Sequence, residues 1–206
     1  SHRLEVDALI NCAGVYGPIG NTLDIDLEEF QKAFNINFFG TLNMIKATKN
    51  LFKKGIKKKI INFSGGGAAS PFPYYSAYAT STAAIVRLTE NLSIELKKDS
   101  FDINCVAPGF VVTRLHQDTL NAGPEKMGKE FYDNTKKMIE NGGISPSYSY
   151  NLVSFLLSDQ SDGITGKFIS ANWDNWNDNE YLKEIRNNDN FAVLRRIDSK
   201  NYFHKK

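Results

Sequence analysis

The chain has 206 residues, 41% of them hydrophobic and 23% charged, with a formal net charge of +2. That is enough chain for one domain with a sizeable core, and the composition excludes the disordered and fibrous classes. A charge so near balance gives no argument for nucleic acid or for an anionic membrane surface as partner.

The two cysteines, Cys12 and Cys105, lie in apolar strand contexts. Their spacing suggests neither a metal site nor a redox pair, so buried reduced thiols are expected. No apolar run approaches the roughly eighteen residues of a membrane span, and no charged-then-apolar leader opens the chain. A cytoplasmic protein with no membrane partner is the expectation.

In chain order, Ala8-Leu9-Ile10-Asn11 is a short apolar run stopped by Ala13-Gly14 and reads as a buried parallel strand. From Asp26 a helix pattern begins, with Asp26 as N-cap and Glu29 as its capping-box partner. Leu27, Phe30, Phe34, Phe38, Thr41, Ile45 and Leu51 recur at helical spacing through about seven turns, which is long for a globular helix, so an interruption is expected. The lysine run Lys53 to Lys59 reads as a solvated turn ahead of a strand at Lys59 to Ser64. That strand delivers a loop rich in Gly, Pro and Ser, and a helix follows from Tyr78 with Ala79, Ala83, Val86, Leu88, Leu92 and Leu96 on its inner stripe.

Phe101 to Ala107 reads as a strand ended by Pro108-Gly109. Leu115 to Gly143 is either a mobile lid, extending to about residue 145, or an ordinary surface helix pair; its apolar side would be Met127, Phe131, Tyr132 and Met138. Ser147 to Leu157 is a further helix. A tail runs from about residue 172 to 206.

Several segments resemble the short-chain dehydrogenase/reductase family. Asn11-Cys12-Ala13-Gly14 is similar to its Asn-Asn-Ala-Gly motif, with Cys12 in place of the second Asn. Tyr78-Ala79-Thr80-Ser81-Thr82-Ala83-Ala84 resembles its active-site segment, in which a Tyr and a Lys four residues later work with a Ser. Tyr78 stands where the Tyr stands, Thr82 where the Lys stands, and Gly65 where the Ser usually stands. Asn37 matches the fourth active-site residue, an Asn at a helix kink whose carbonyl holds a relay water. Asn104 to Gly109 resembles the Asn-x-Val-x-Pro-Gly segment, and Phe110-Val111-Val112-Thr113 the stretch that contacts the nicotinamide carboxamide and a phosphate. Asp159 to Ser170 resembles the last turn and strand.

The resemblance implies an α/β fold: a doubly wound parallel sheet (Rossmann-like) in one domain, lacking the family's first three strands and its Gly-rich cofactor turn. Gly65-Gly66-Gly67 and Gly142-Gly143 do not supply that turn, since Ser70, Pro71 and Pro73 stop a helix behind the first and the second follows a helix. An open edge at Ala8 to Ile10 and reduced stability are then expected. The resemblance also implies NAD or NADP as cofactor, a small carbonyl or alcohol substrate, and a homo-oligomer built through the helices at about 27–52 and 78–97. Catalytic candidates are Tyr78, Asn37, Ser64 and, in the Lys position, Thr82; cofactor-binding candidates are Asn11, Ala13, Gly14, Pro108, Gly109, Val111 and Thr113. The tail, Ser64 to Ala68 and Ala122 to Lys126 resemble a bacterial subgroup associated with surface-polysaccharide genes.

A phenol ionises near pH 10, and in a Tyr-x-x-x-Lys pair the ammonium lowers that value from the same helix face. Thr82 keeps the spacing without the charge, so impaired turnover is expected. A non-catalytic partner or binding module is the second reading. A hydrolase or transferase using a Ser of the Ser-Gly-Gly-Gly loop is the third; no His is placed for it by motif, His2, His116 and His204 being terminal or in the lid.

Overall fold

The structure is a computed structural model and describes residues 5–197. Four strands form one parallel sheet in sequential order: β1 (Ala8–Asn11), β2 (Lys58–Phe63), β3 (Phe101–Ala107) and β4 (Phe168–Ser170). Parallel neighbours need crossovers, and helices supply them on both faces, which is the doubly wound arrangement the sequence implied.

Between β1 and β2 run α1 (Leu27–Phe34), a π-helical turn (Asn35–Phe39) and α2 (Gly40–Thr48). Asp26 caps α1, its carboxylate accepting from Glu29 N at 2.8 Å. The expected interruption is the π-helical turn, and it falls on Asn37. Leu27, the first residue of α1, departs from the predicted stripe and is 67% exposed. Of that stripe Thr41 and Ile45 are buried and Phe30, Phe34, Phe38 and Leu51 half-buried, while Ala33 and Asn37 are buried beside them.

From β2 the chain enters α3 (Ser76–Glu95), whose most buried line is Ala77, Ser81, Thr82, Ile85, Val86, Thr89 and Ser93. This corrects the predicted apolar stripe, of which Val86 and Leu96 are buried while Ala79, Ala83, Leu88 and Leu92 are only half-buried. Small side chains let α3 lie close on β3, and their hydroxyls bond to the helix's own carbonyls. Below α2 and α3, Leu9, Ile45, Ile60, Leu96, Phe101 and Ile103 form the core of this face.

On the other face α7 (Pro146–Leu157) covers β2 and β3, burying Leu152 and Leu156 against Ile61, Val106 and Ile169. Ile10 lies on this same face but is 46% exposed, and β1 pairs only with β2 among the described residues. The edge expected at Ala8 to Ile10 is therefore open.

The lysine run departs from a purely solvated turn at Lys59. Its ammonium is buried and bonds Asp102 at 3.0 Å, Asp162 at 2.7 Å and Ser161 at 3.2 Å. Asp102 is the register partner of Lys59 and also accepts from Gly163 N. The group ties the amino ends of β2 and β3 to the turn that follows α7. Among the described residues no helix is long and apolar enough to cross a membrane.

Candidate active site

The carboxyl ends of parallel strands leave backbone groups and loops free to converge, and here they bring four segments together. These are residues 12–16 after β1, 64–68 after β2, 108–113 after β3 and the start of α3, covered by α4 (Arg114–Ala122), α5 (Pro124–Met127) and α6 (Lys129–Glu140).

Asn37 organises the first of them. Its side-chain oxygen accepts from Val15 N at 2.9 Å, and its amide nitrogen donates to Val15 O and to Ser81 Oγ, both at 2.9 Å. Ser81 in turn donates to the Tyr78 carbonyl. One buried carboxamide thus ties the loop after β1 to the turn of α3 that carries Tyr78. The Asn37 carbonyl accepts from Thr41 Oγ1 at 2.8 Å. Asn11 donates to Asn62, which donates to Thr89 on α3, so the carboxyl ends of β1 and β2 are pinned to the same helix.

Tyr78 lies half-buried with its ring edge-on to Tyr16, centroids 4.9 Å apart at 87°. Its hydroxyl occupies the space that a side chain at residue 65 would fill: a Cβ built on Gly65 would overlap Tyr78 Oη and come within 3.1 Å of Cζ. No hydrogen bond reaches that hydroxyl among the described residues. Burial pushes the phenol up to about 12, with smaller contributions from Cys105 and Cys12. No cation among the described residues acts on it.

Thr82 is buried, and its hydroxyl bonds back to the carbonyls of Tyr78 and Ala79 at 2.9 and 3.1 Å. Ser64 is buried too, donating to the Thr82 carbonyl at 3.1 Å. Both hydroxyls are thus engaged with the α3 backbone, and no imidazole among the described residues bonds Ser64, which leaves the serine-nucleophile reading without a base there.

The cofactor candidates divide by exposure. Ala13 and Gly14 are exposed beyond β1. Cys12 beside them is exposed as well, a correction to the buried thiol expected from its apolar context; the reason is that the strand has already ended at Asn11. Cys105 is buried as expected. Gly109 has φ +78, with Asn172 and Ile144 packed against it, so this turn tolerates no side chain. Val111 N bonds Gly109 O at 3.0 Å. Thr113 is the N-cap of α4, its hydroxyl accepting from the His116 amide while Thr113 N donates to His116 Nδ1 at 3.3 Å.

Helices α4 to α6 pack on a cluster that sequence reasoning missed. Tyr75 is fully buried, stacked on Phe72 at 4.4 Å, donating to Thr119 Oγ1 at 2.9 Å and contacting Met127 Sδ. Tyr16 joins Tyr75, Tyr78 and His116 edge-on. Met127, Phe131 and Tyr132 take part as predicted, but Met138 is 43% exposed, because it lies near the end of α6 away from the cluster. Nothing in the local sequence marks Tyr16, since its partners come from three separate segments.

His116 is buried between Phe110, whose ring centroid is 3.9 Å away, and Tyr16. Burial lowers its pKa below 6.5. This packing therefore prefers the neutral imidazole, whose Nδ1 accepts from Thr113 N. That preference is complete above about pH 6.5 and is lost as the pH falls through and below that value. Hydrogen exchange corrected for intrinsic rates is expected to rise at residues 115–140 between pH 7.5 and 5.5 while β2 and β3 stay protected. In His116→Asn the rise should be absent.

A family model described as enoyl-(acyl carrier protein) reductase matches residues 2–172. The chain is 31% identical over 164 residues to dehydrogenase/reductase SDR family member 4 of Sus scrofa, aligning with 80% of this chain and 57% of that protein. It is 32% identical over 169 residues to L-2,3-butanediol dehydrogenase of Corynebacterium glutamicum, over 79% of this chain and 65% of that one. It therefore spans roughly three fifths of the length of these relatives. Among solved structures, a short-chain dehydrogenase family protein from Francisella tularensis superposes with a TM-score of 0.69 at 28% identity, covering 81% of this chain and 69% of that one. Matched along most of its length by sequence and by fold, the chain belongs to the short-chain dehydrogenase/reductase family.

Proposed function

We propose that this chain carries the proton-transfer half of an NAD(P)-dependent oxidoreductase acting on a carbonyl or alcohol substrate, and that its own site is impaired. The observation that carries the reading is Tyr78: a phenol at the carboxyl end of the sheet, braced by Asn37 through Ser81, with no cation among the described residues to lower its pKa. The names of two relatives, L-2,3-butanediol dehydrogenase and diacetyl reductase, favour small hydroxyketone or diol substrates.

The residues present fit the nicotinamide half of a dinucleotide. Ala13 and Gly14 offer exposed backbone, the Pro108 to Thr113 segment offers a turn tightened by Gly109, and the Thr113 hydroxyl still has its proton to donate to a phosphate oxygen. A bound dinucleotide would supply or accept the hydride. Tyr78 would hold the proton of the reacting oxygen on its Oη, while Tyr16 and the lid exclude water. With a pKa of about 12, on the order of one phenol in 10⁵ is ionised at pH 7, so proton removal by Tyr78 is rare. Thr82, spent on its own helix, can neither correct this nor hold the nicotinamide ribose.

Nicotinamide fluorescence on titration with NADH and NADPH tests the reading. Little or no saturation is expected in the micromolar range, and clear micromolar binding would overturn the impaired site.

The same features favour a second reading, a non-catalytic partner of an intact relative. Phe39, Met44 and Ile94, on the π-helical turn, α2 and α3, are exposed apolar side chains suited to a homo-oligomeric contact. Two unpaired thiols support a cytoplasmic setting. The tail beyond residue 172, outside the matched family model, supports membership of the bacterial subgroup tied to surface polysaccharides.

A further inference from the structure

We propose that Tyr16 and His116 form the subsite for a second, neutral oxygen of the substrate, which makes the site selective for vicinally dioxygenated compounds, a hydroxyketone or its diol, over ketones and alcohols with one oxygen. The inference rests on the reading of Tyr78 as the group at the reacting oxygen.

Tyr16 links the two sides of the site. Its buried ring is edge-on to Tyr78, with centroids 4.9 Å apart at 87°, and edge-on to His116 at 6.1 Å and 90°. The three residues come from the segment after β1, from α3 and from α4, so separate elements set their polar ends around one ring. The segment carrying Tyr16 is itself fixed, because Asn37 holds Val15 through both its N–H and its carbonyl.

Hydrogen-bond accounting separates recognition from packing in this cluster. Tyr75, fully buried, spends its hydroxyl on Thr119. Tyr16 Oη, Tyr78 Oη and His116 Nε2 have no such partner among the described residues. Nor are they sealed, since among the described residues Tyr181 Oη is the one side-chain nitrogen or oxygen shut from solvent without a partner. Open, unpaired polar atoms on largely buried residues are the ones free to bond a ligand's oxygens.

Both groups of the subsite are neutral donors. His116 Nδ1 accepts from Thr113 N at 3.3 Å, which leaves the imidazole proton on Nε2, on the side of the ring turned away from that amide. Burial first, then the Tyr78 and Tyr75 phenols and the Asp118 carboxylate, raises the Tyr16 pKa, so its hydroxyl keeps its proton. Two neutral donors suit a carbonyl or hydroxyl oxygen. A carboxylate there would meet the Asp118 charge, and no cation among the described residues acts on either phenol to offset it. Phe72, Leu115, Met127 and Phe131 wall the cluster, so the surroundings of the two oxygens are apolar and suit short alkyl ends.

The test is binding by saturation-transfer NMR on the full chain, without dinucleotide, of 3-hydroxybutan-2-one, butan-2-one and pyruvate. One neutral hydrogen bond is worth about three- to tenfold in affinity, so the hydroxyketone is expected to bind about tenfold or more tighter than butan-2-one, and pyruvate no better than butan-2-one. Tyr16→Phe keeps the ring, and His116→Asn keeps an acceptor for Thr113 N with no group at the Nε2 position; each should cut the preference about three- to tenfold and leave butan-2-one unchanged. In the wild-type chain the hydroxyketone should also shift the His116 ring signals, assigned by their loss in His116→Asn. Equal binding of the two ketones overturns the proposal, as does a preference that survives either substitution, tighter binding of pyruvate, or no saturable binding of the hydroxyketone. If a variant fails to fold, the wild-type comparison and the His116 signals decide. The dinucleotide titration is read separately: micromolar NADH binding would overturn the impaired site and leave this preference standing, while a lost preference leaves the oxidoreductase reading standing.

Discussion

A Thr82→Lys variant is expected to lower the pH at which Tyr78 ionises by about 1–3 units and to raise dinucleotide-dependent turnover by about 10²–10⁴. The two residues are four apart on α3, so their side chains share a face, and the ammonium would meet a phenol whose pKa of about 12 comes mainly from burial. Thr82 now closes its hydroxyl on the Tyr78 and Ala79 carbonyls, an interaction that a lysine would give up for a modest cost. The phenolate difference spectrum in the ultraviolet reads the first effect and steady-state kinetics the second. Thr82→Met, which fills the same place without charge, should move neither. If the ionisation midpoint stays where it is in Thr82→Lys, the missing cation is not what limits this site.

Lys59→Met is expected to destabilise the fold by about 3–5 kcal/mol. Lys59 and Asp102 have side chains that are only 5% and 3% exposed, and removing the ammonium leaves the Asp102 carboxylate buried with Gly163 N as its close donor and Lys57 at 3.7 Å. Asp162, which binds the turn after α7 to this point, loses its ion-pair partner at the same time, and Ser161 loses one of its bonds. Thermal unfolding should read the change as about 2–4 °C per kcal/mol for a chain of this size. Lys57→Met is the comparison: that side chain is 40% exposed, and its loss should cost less than about 1 kcal/mol. Equal losses in the two variants would mean that the buried pair is no stronger than a surface one.

The segments that depend on local chemistry were legible in the sequence. Apolar runs ended by Ala13-Gly14 and Pro108-Gly109 marked strands, Asp26 and Glu29 marked a helix start, and a helix too long to continue unbroken marked the kink that falls on Asn37. The candidates Tyr78, Thr82 and Asn37 were found because their spacing within single segments carries the information. Cys12 and Lys59 were misread for one reason: exposure depends on what lies across the sheet. Cys12 has passed the end of its strand and opens to solvent, while Lys59 turns inward because Asp102 arrives beside it from a strand forty-three residues away.

By itself, then, the sequence determined the family, the parallel α/β class and the absence of a charge at residue 82, because each is written in residue identity and short spacing. Tertiary structure decided what those residues can do. It placed the Tyr78 hydroxyl over Gly65, spent the hydroxyls of Ser64 and Thr82 on the α3 backbone, and gathered Tyr16, Tyr75 and His116 from distant segments into one aromatic cluster. It also laid the tail across β4, where the outward N–H groups of Phe168 and Ser170 required acceptors that no neighbouring residue in sequence supplies to both. Burial and hydrogen-bond satisfaction are properties of the whole chain folded on itself, which is why they could not be read from any one stretch of it.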